Sequence, residues 1–334
     1  MKWIHRKGSE PSNFRYVTES GAEVSASEAE RIDELRIPPA WRDVHIAANS
    51  RSAIQAWGYD VRGRKQYRYH PRAVQKGELR KFYRVRQMAR DLPAIRRRLA
   101  SDFRKRRMPK EKVLAGVIQL ISHGFFRIGH ERYLKENRTF GISTLNKTHV
   151  VVDGDSLTFS YVGKRSIKHK QVVAAPELIK FIKELQTSPG RRLFRYLEDE
   201  RWRDVTARDV NNYFRKIAGD FPYTAKDLRT WGGTLRAATI LAELGPPNSA
   251  TEAKKNIVST IRMVAAELGN TPAICRKSYV HPVILDRYES DGLIIRWRNA
   301  SKTTPYSHSP EERALIAFLD EHFPERRKRR RIGE

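Results

Sequence analysis

Cysteine is almost missing from this chain: Cys275 stands alone among 334 residues. That excludes an internal disulfide, a C-x-x-C redox pair and a zinc site built from several thiolates. Long apolar runs are absent too. No stretch approaches the roughly 18 consecutive apolar residues of a membrane-spanning helix. The opening residues, Met1-Lys-Trp-Ile-His-Arg, lack the apolar stretch of a signal peptide. We therefore expect a soluble, intracellular, cytoplasmic protein without a membrane partner. Acidic residues are scarce, with 38 Asp and Glu against 66 Lys and Arg and a formal charge of +28. Such an excess favours a polyanionic partner, because each neutralised phosphate releases a condensed counterion. Ribosomal and membrane-surface proteins share this property. The common phosphate and metal motifs are also missing. Gly163-Lys164 is followed by Arg165 and has no P-loop glycine before it, and His130-Glu131 has no second His four residues on. No G-x-G-x-x-G or G-x-S-x-G occurs. The usual nucleotide-dependent and metal-dependent chemistries are thereby removed.

Enough apolar side chain is present for a core, 39% of the chain, with 10% aromatic. Residues 1–75 read as a small, mostly β domain. Short alternating runs at Phe14–Val17, Val44–Ala47, Ile54–Trp57 and Lys65–Tyr69 are divided by Gly, Pro and Asp turns, with one helix near Ser27–Arg36. After a linker near 73–80 the pattern turns helical. Val113, Val117, Leu120 and Ile121 recur with the spacing of a core-facing stripe. Residues 150–174 interrupt this with three short strands, around the turns Asp153-Gly-Asp155 and Gly163-Lys-Arg-Ser166. Helices resume near 176–187, 205–218, 225–243, 250–268 and 310–322. The expected fold class is α+β, an antiparallel β domain followed by a mainly helical domain (76–325) with a three-stranded insertion. Arg326-Arg-Lys-Arg-Arg-Arg331 forms a basic tail within 326–334.

Four places carry charge or a nucleophile in a suggestive setting. Thr224 and Asp227 have capping-box spacing, which puts Lys226 in a first helical turn and Arg229 on the same face. Cations there oppose the helix dipole unless a phosphate binds, although a solvated basic helix start gives the same pattern. Gly232-Gly233 just downstream permits close approach of another backbone. Arg127 lies near the end of the apolar helix, where it either points into a groove or simply answers the dipole. Lys164 sits in a hairpin turn, a common place for a solvent-exposed lysine. Thr271-Pro272 starts a helix that reaches Tyr279 about two turns on. The neighbouring Arg276 and Lys277 would ease ionisation of its phenol, ordinarily near pKa 10, if it is more than a packing tyrosine.

In combination these segments resemble the type IB DNA topoisomerases of the small poxvirus and bacterial class. The match runs through Phe126-Arg-Ile-Gly129, Tyr133-Leu-Lys-Glu-Asn137, Tyr161-Val-Gly-Lys164, Lys226-Asp-Leu-Arg-Thr230 and Asn270-Thr-Pro272 to Tyr279. Upstream, Ile37-Pro-Pro-Ala-Trp41 and Gly58 through Tyr69 are similar to the family's amino-terminal β domain. The resemblance implies that Tyr279 attacks a DNA phosphodiester and forms a 3′-phosphotyrosyl link. Arg127 and Arg229 would hold the non-bridging oxygens, Lys164 would protonate the leaving 5′ oxygen, and Lys226 would assist. Asn270 stands where the family often has His, and would keep a hydrogen bond to the phosphoryl group without supplying charge. It otherwise serves as a local cap. Gln66, Tyr67, Tyr69, Arg72, Tyr133 and Lys135 match the family's DNA contacts. Alternation places Tyr67 and Tyr69 on one strand face and Gln66 and Arg68 on the other, and one face must pack on the core.

The implied activity is relaxation of positive and negative supercoils by a monomer clamped around double-stranded DNA, without ATP or an obligatory metal, divalent cations at most stimulating. In a bacterium the protein would be nucleoid-associated. Two other readings remain. A tyrosine recombinase uses the same nucleophile, but usually carries His-x-x-Arg where this chain has Lys226-x-x-Arg229, and it would join separate sites. A non-catalytic DNA-binding protein would form no covalent adduct.

Overall fold

In a computed structural model of the chain, residues 2–219, 221–297 and 304–323 are described, and the basic stretch 326–331 lies outside them. The chain divides into two compact units, Met1–Lys81 and Phe82–Glu334. In the first unit, β1 (Trp3–Lys7), β2 (Arg15–Thr18), α1 (Ala26–Glu34), β3 (Arg42–Ala47), β4 (Ile54–Tyr59) and β5 (Lys65–Tyr69) follow in order. The strands form one sheet in the order β2-β1-β3-β4-β5, with every neighbouring pair antiparallel. Ile4, Val44, Ile46 and Ala56 turn to one face and bury Ile32 of α1 against it. α1 starts where Ser25 accepts the amide of Glu28, an N-cap worth about 1 kcal/mol. In β5, Arg68 stands opposite buried Ala56 and Gln66 opposite Gly58, while Tyr67 stands opposite Trp57. Gln66 and Arg68 thus share the core-side face, and Tyr67 and Tyr69 the other.

β1 did not declare itself in the sequence, because Trp-Ile-His-Arg-Lys supplies only one residue, Ile4, to the core. The stretch 73–80, expected as a linker, is helical: α2 runs Pro71–Phe103. Pro71 begins that helix, where a missing amide costs nothing.

The second unit is built on α2 and α3 (Lys110–Gly124). Eight residues of α3 are buried, among them Val113, Val117, Leu120 and Ile121, whereas its N-cap Pro109 makes no side-chain cap. Burial of a large apolar side chain is worth about 1.5–3 kcal/mol and a cap about 1 kcal/mol, so packing holds this helix. After α4 (Glu131–Asn137) come β6 (Val150–Asp153), β7 (Ser156–Val162) and β8 (Lys168–Val173), an antiparallel three-stranded sheet. Then follow α5 (Pro176–Thr187), the hairpin β9 (Arg195–Glu198) and β10 (Arg201–Asp204), α6 (Ala207–Ile217), α7 (Ala225–Leu244), α8 (Ala250–Leu268), α9 (Pro272–Tyr279), α10 (Pro282–Asp291) and α11 (Pro310–His322). The observed architecture is the α+β arrangement expected. Among the described residues no helix is long and apolar enough to cross a membrane.

Candidate active site

Helix α7 begins at N-cap Thr224, whose amide and hydroxyl both donate to an Asp227 carboxylate oxygen at 2.8 Å. Asp227 is itself gripped by Arg84, through Nε at 3.1 Å and Nη2 at 2.8 Å. This arrangement fixes the first turn and with it Lys226 and Arg229. Lys226 is exposed, whereas Arg229 is only 3% exposed. One turn further, a Cβ on Gly233 would lie 2.8 Å from the carbonyl oxygen of Tyr279. Gly233 therefore lets the end of α9 press onto α7, while Gly232 makes room for the Phe125 ring. That end is Tyr279, the last residue of a helix started by Thr271, which accepts the amide of Ile274, and by Pro272.

Around the Tyr279 phenol the cations converge. The Arg229 guanidinium lies 5.1 Å from the ring centroid and the Lys226 ammonium 6.0 Å from it. Burial pushes the phenol's pKa up. The field and hydrogen bond of Arg229, then Lys226 and Arg127, outweigh that and bring it below its ordinary value. Arg276 and Lys277, which the sequence predicts in this role, are exposed and are not among the cations that lower it. Arg127 comes from a loop rather than a helix end. α3 stops at Gly124 with Phe125 in the left-handed conformation, and the Arg127 carbonyl accepts the amide of Ile142 at 2.8 Å. Its Nη2 donates to the Gly269 carbonyl at 2.6 Å and to the Asn270 side-chain oxygen. Arg229 Nη2 donates to the carbonyl of Leu268 at 3.0 Å. Both guanidiniums thus lean on the C-terminal end of α8, and among the described residues neither pairs with a carboxylate.

Three nitrogens in this pocket are buried without a hydrogen-bond partner: Arg229 Nε, Asn270 Nδ2 and His169 Nε2. An unmade bond at a buried donor costs about 1–3 kcal/mol, and its recurrence at one spot marks a place for an acceptor from outside. His169, absent from the sequence reading, lies on β8 and stacks on Tyr161, with ring centroids 5.2 Å apart. A single His between Lys168 and Lys170 on an alternating strand carries no signal of its own. Burial, then Arg127 and Arg229, hold its pKa below the ordinary value. Burial likewise pushes the Tyr161 phenol up to about 12 against the same two arginines. Nearby Cys275 is fully buried, and burial pushes its thiol up to about 11, so it offers no thiolate at neutral pH.

The family model for the catalytic core of eukaryotic DNA topoisomerase I matches residues 70–301, and that for the N-terminal domain of bacterial DNA topoisomerase IB matches residues 13–60. The chain belongs to the type IB DNA topoisomerases. The DNA topoisomerase 1B of Acanthamoeba polyphaga mimivirus is 32% identical over 299 residues, covering 87% of this chain and 89% of the relative. That of Vaccinia virus (strain Copenhagen) is 28% identical over 247 residues, 71% of this chain and 73% of the relative.

Of the residues singled out in the enzyme's sequence, Arg127, Lys226, Arg229, Asn270 and Tyr279 meet in one pocket. Among the described residues Lys164 is not one of the cations acting on the phenol. It opens the exposed turn between β7 and β8, next to Gly163, which packs against the His169 ring. Tyr133 and Lys135 are exposed on α4, the helix after the Arg127 loop. In the first unit Tyr67 and Tyr69 are exposed and stacked, with centroids 5.7 Å apart, and Arg72 is exposed in the first turn of α2. Gln66 is less free, because its amide donates to Asp60 at 3.0 Å.

Proposed function

We propose that the enzyme relaxes positive and negative supercoils by breaking and rejoining one strand of double-stranded DNA through Tyr279, acting as a monomer without ATP or an obligatory metal. The phenol oxygen attacks a backbone phosphorus and gives up its proton to water. The bond from phosphorus to the 5′ oxygen breaks, and Lys164 supplies the proton that leaves with that oxygen. A 3′-phosphotyrosyl link and a free 5′-hydroxyl strand result. Religation runs the same steps backwards, and because the link remains a phosphodiester it consumes no nucleotide. Arg127 and Arg229 hold the non-bridging oxygens, where charge gathers in the transition state. Asn270 donates its free Nδ2–H to one of them, and Lys226 lowers the cost of the phenolate.

The observation that carries this reading is the pair of buried, partnerless donors Arg229 Nε and Asn270 Nδ2 beside a phenol whose pKa is pulled down by three cations. Guanidinium and ammonium groups supply the positive charge that phosphoryl transfer needs. Protonating the leaving oxygen matters because an alkoxide is a far worse leaving group than a phenolate. Gln66, Tyr67, Tyr69, Arg72, Tyr133 and Lys135 contact the duplex in this scheme.

Tyr279→Phe tests it. Plasmid relaxation in EDTA without ATP should be abolished, with filter binding to DNA largely intact and no protein–DNA adduct surviving in denaturant. A Phe variant that still relaxes plasmid would require another nucleophile. Lys164→Ala should cleave slowly, and should recover on DNA with sulfur at the 5′-bridging position, since a thiolate leaves without a proton.

A further inference from the structure

His169 is absent from the chemistry just described, yet it stands at the junction of the parts that chemistry uses. Its ring fills the gap between two glycines from distant parts of the chain. A Cβ on Gly163 would lie 2.4 Å from His169 Cδ2 and 2.6 Å from its Nε2. A Cβ on Gly269 would lie 2.3 Å from Cε1 and 2.7 Å from Nδ1. Real Cβ atoms do not approach so closely, so each backbone abuts one edge of the imidazole. On one side is the turn that begins with Lys164. On the other is the α8 C-cap whose carbonyl receives Arg127 and which leads into Asn270.

The turn needs such a support. Arg165 and Ser166 are consecutive non-glycine residues with φ of 64° and 58°, a conformation costing of order 1 kcal/mol or more each. Within the hairpin it is closed by the Gly163 amide donating to the Ile167 carbonyl at 2.8 Å. The ring is held from below as well. Tyr161, on which it stacks, donates its hydroxyl to Gln171 at 2.7 Å, and Gln171 donates to the carbonyl of Gly124. The charged or titratable groups acting on His169 are Arg127 and Arg229, with Tyr161 beneath it. Among the described residues it forms no ion pair that would explain its place.

We propose that His169 is a positioning residue for strand cleavage: as a rigid spacer between Gly163 and Gly269, it sets where the Lys164 turn stands relative to Arg127 and Asn270. The proposal rests on Lys164 being the general acid. Removing the spacer lets the turn drift while Tyr279, Arg229 and Asn270 keep their own supports. A displacement of about 1 Å in a reacting group costs up to about 10²-fold in rate. The loss falls on protonation of the leaving oxygen and spares attack by the phenol.

Single-turnover cleavage of a short duplex, with oxygen or sulfur at the 5′-bridging position, tests this. Wild type, Lys164→Ala, His169→Ala, Gly163→Ala and the Lys164→Ala/His169→Ala pair are compared at matched DNA occupancy. His169→Ala should slow cleavage of the oxygen substrate by at least about 10-fold, and return to within a few-fold of wild type on the sulfur substrate. Gly163→Ala, which keeps the imidazole but crowds it, should behave in the same way, so the test survives a folding defect in His169→Ala. The double variant should be no slower than Lys164→Ala. Equal slowing of His169→Ala on both substrates, or none on either, overturns the proposal. If Lys164→Ala is itself not rescued by sulfur, the assignment of the acid fails first and the positioning role falls with it.

Discussion

Arginines are handled in two ways within the helical unit, paired with buried acids or left without one. At the start of α7, Arg84 grips Asp227 with two hydrogen bonds of 3.1 and 2.8 Å. Arg96 likewise grips Glu312 at 2.9 and 2.7 Å, with the Trp231 indole donating to the same carboxylate at 3.4 Å. Around Tyr279 the guanidiniums of Arg127 and Arg229 rest instead on carbonyl oxygens and one side-chain amide, and among the described residues no acid neutralises them. In the first arrangement the charge is settled inside the protein and fixes the fold. In the second it is left uncompensated at a cost, since an unpaired buried charge is expensive. The first turns of one helix thus hold an acid whose arginine serves architecture beside an arginine that, in the function proposed above, is kept for an incoming phosphate.

Variants that blur this contrast should have graded effects. The largest belongs to Arg229→Ala, which removes the buried cation. Single-turnover cleavage should fall by about 10³-fold and should not return in Arg229→Lys, whose ammonium cannot reproduce the planar fork. Near-normal cleavage would show that the phosphate is held elsewhere. Next comes Asn270→Asp, which gives the pocket the acid it lacks. Cleavage should drop by about 10²-fold while the urea midpoint stays level or rises. A rate within twofold of wild type would deny that the uncompensated charge matters.

Glu312→Gln should do the reverse, lowering stability by about 1–3 kcal/mol and leaving cleavage by folded enzyme unchanged. Burial pushes the Glu312 carboxyl up, but Arg96 and the backbone of Ser309 bring it below its ordinary value. Its contribution is therefore present above the ordinary glutamate pKa and lost as pH falls through the lowered one. Wild type should lose that advantage over the Gln variant in acid, as urea titrations at pH 7 and pH 4 would read. The smallest effect is expected from Lys226→Ala. Cleavage by wild type should rise with pH and level off below pH 10, and losing this exposed cation should move that rise upward by less than about one pH unit.

Much of this was legible in the chain. α5, α8 and α11 begin and end at the expected residues, because Pro176, Ser249 and Ser309-Pro310 punctuate strong apolar periodicity. Five of the pocket's residues were named from charge, spacing and resemblance, since lone cations at helix starts and a phenol after Thr-Pro are local features. What was hidden depends on the third dimension. β9 and β10, in Arg-Tyr-Leu-Glu-Asp-Glu-Arg-Trp-Arg-Asp, are too charged to announce a hairpin, and only Tyr196 of β9 is buried. Arg127 was placed on a helix end because nothing in the sequence shows Phe125 turning left-handed. His169 escaped because its importance lies in Gly163 and Gly269, six and one hundred residues away, meeting at its edges.

The seclusion of Cys275 has a practical consequence. The lone thiol of the folded enzyme has no accessible surface and is held in its protonated form, so a maleimide dye finds nothing to react with. A cysteine introduced at Val61, 69% exposed on the first unit, would then take up a single fluorophore without any native residue having to be removed. The wild-type background comes ready for single-molecule recording of the enzyme on a twisted DNA tether.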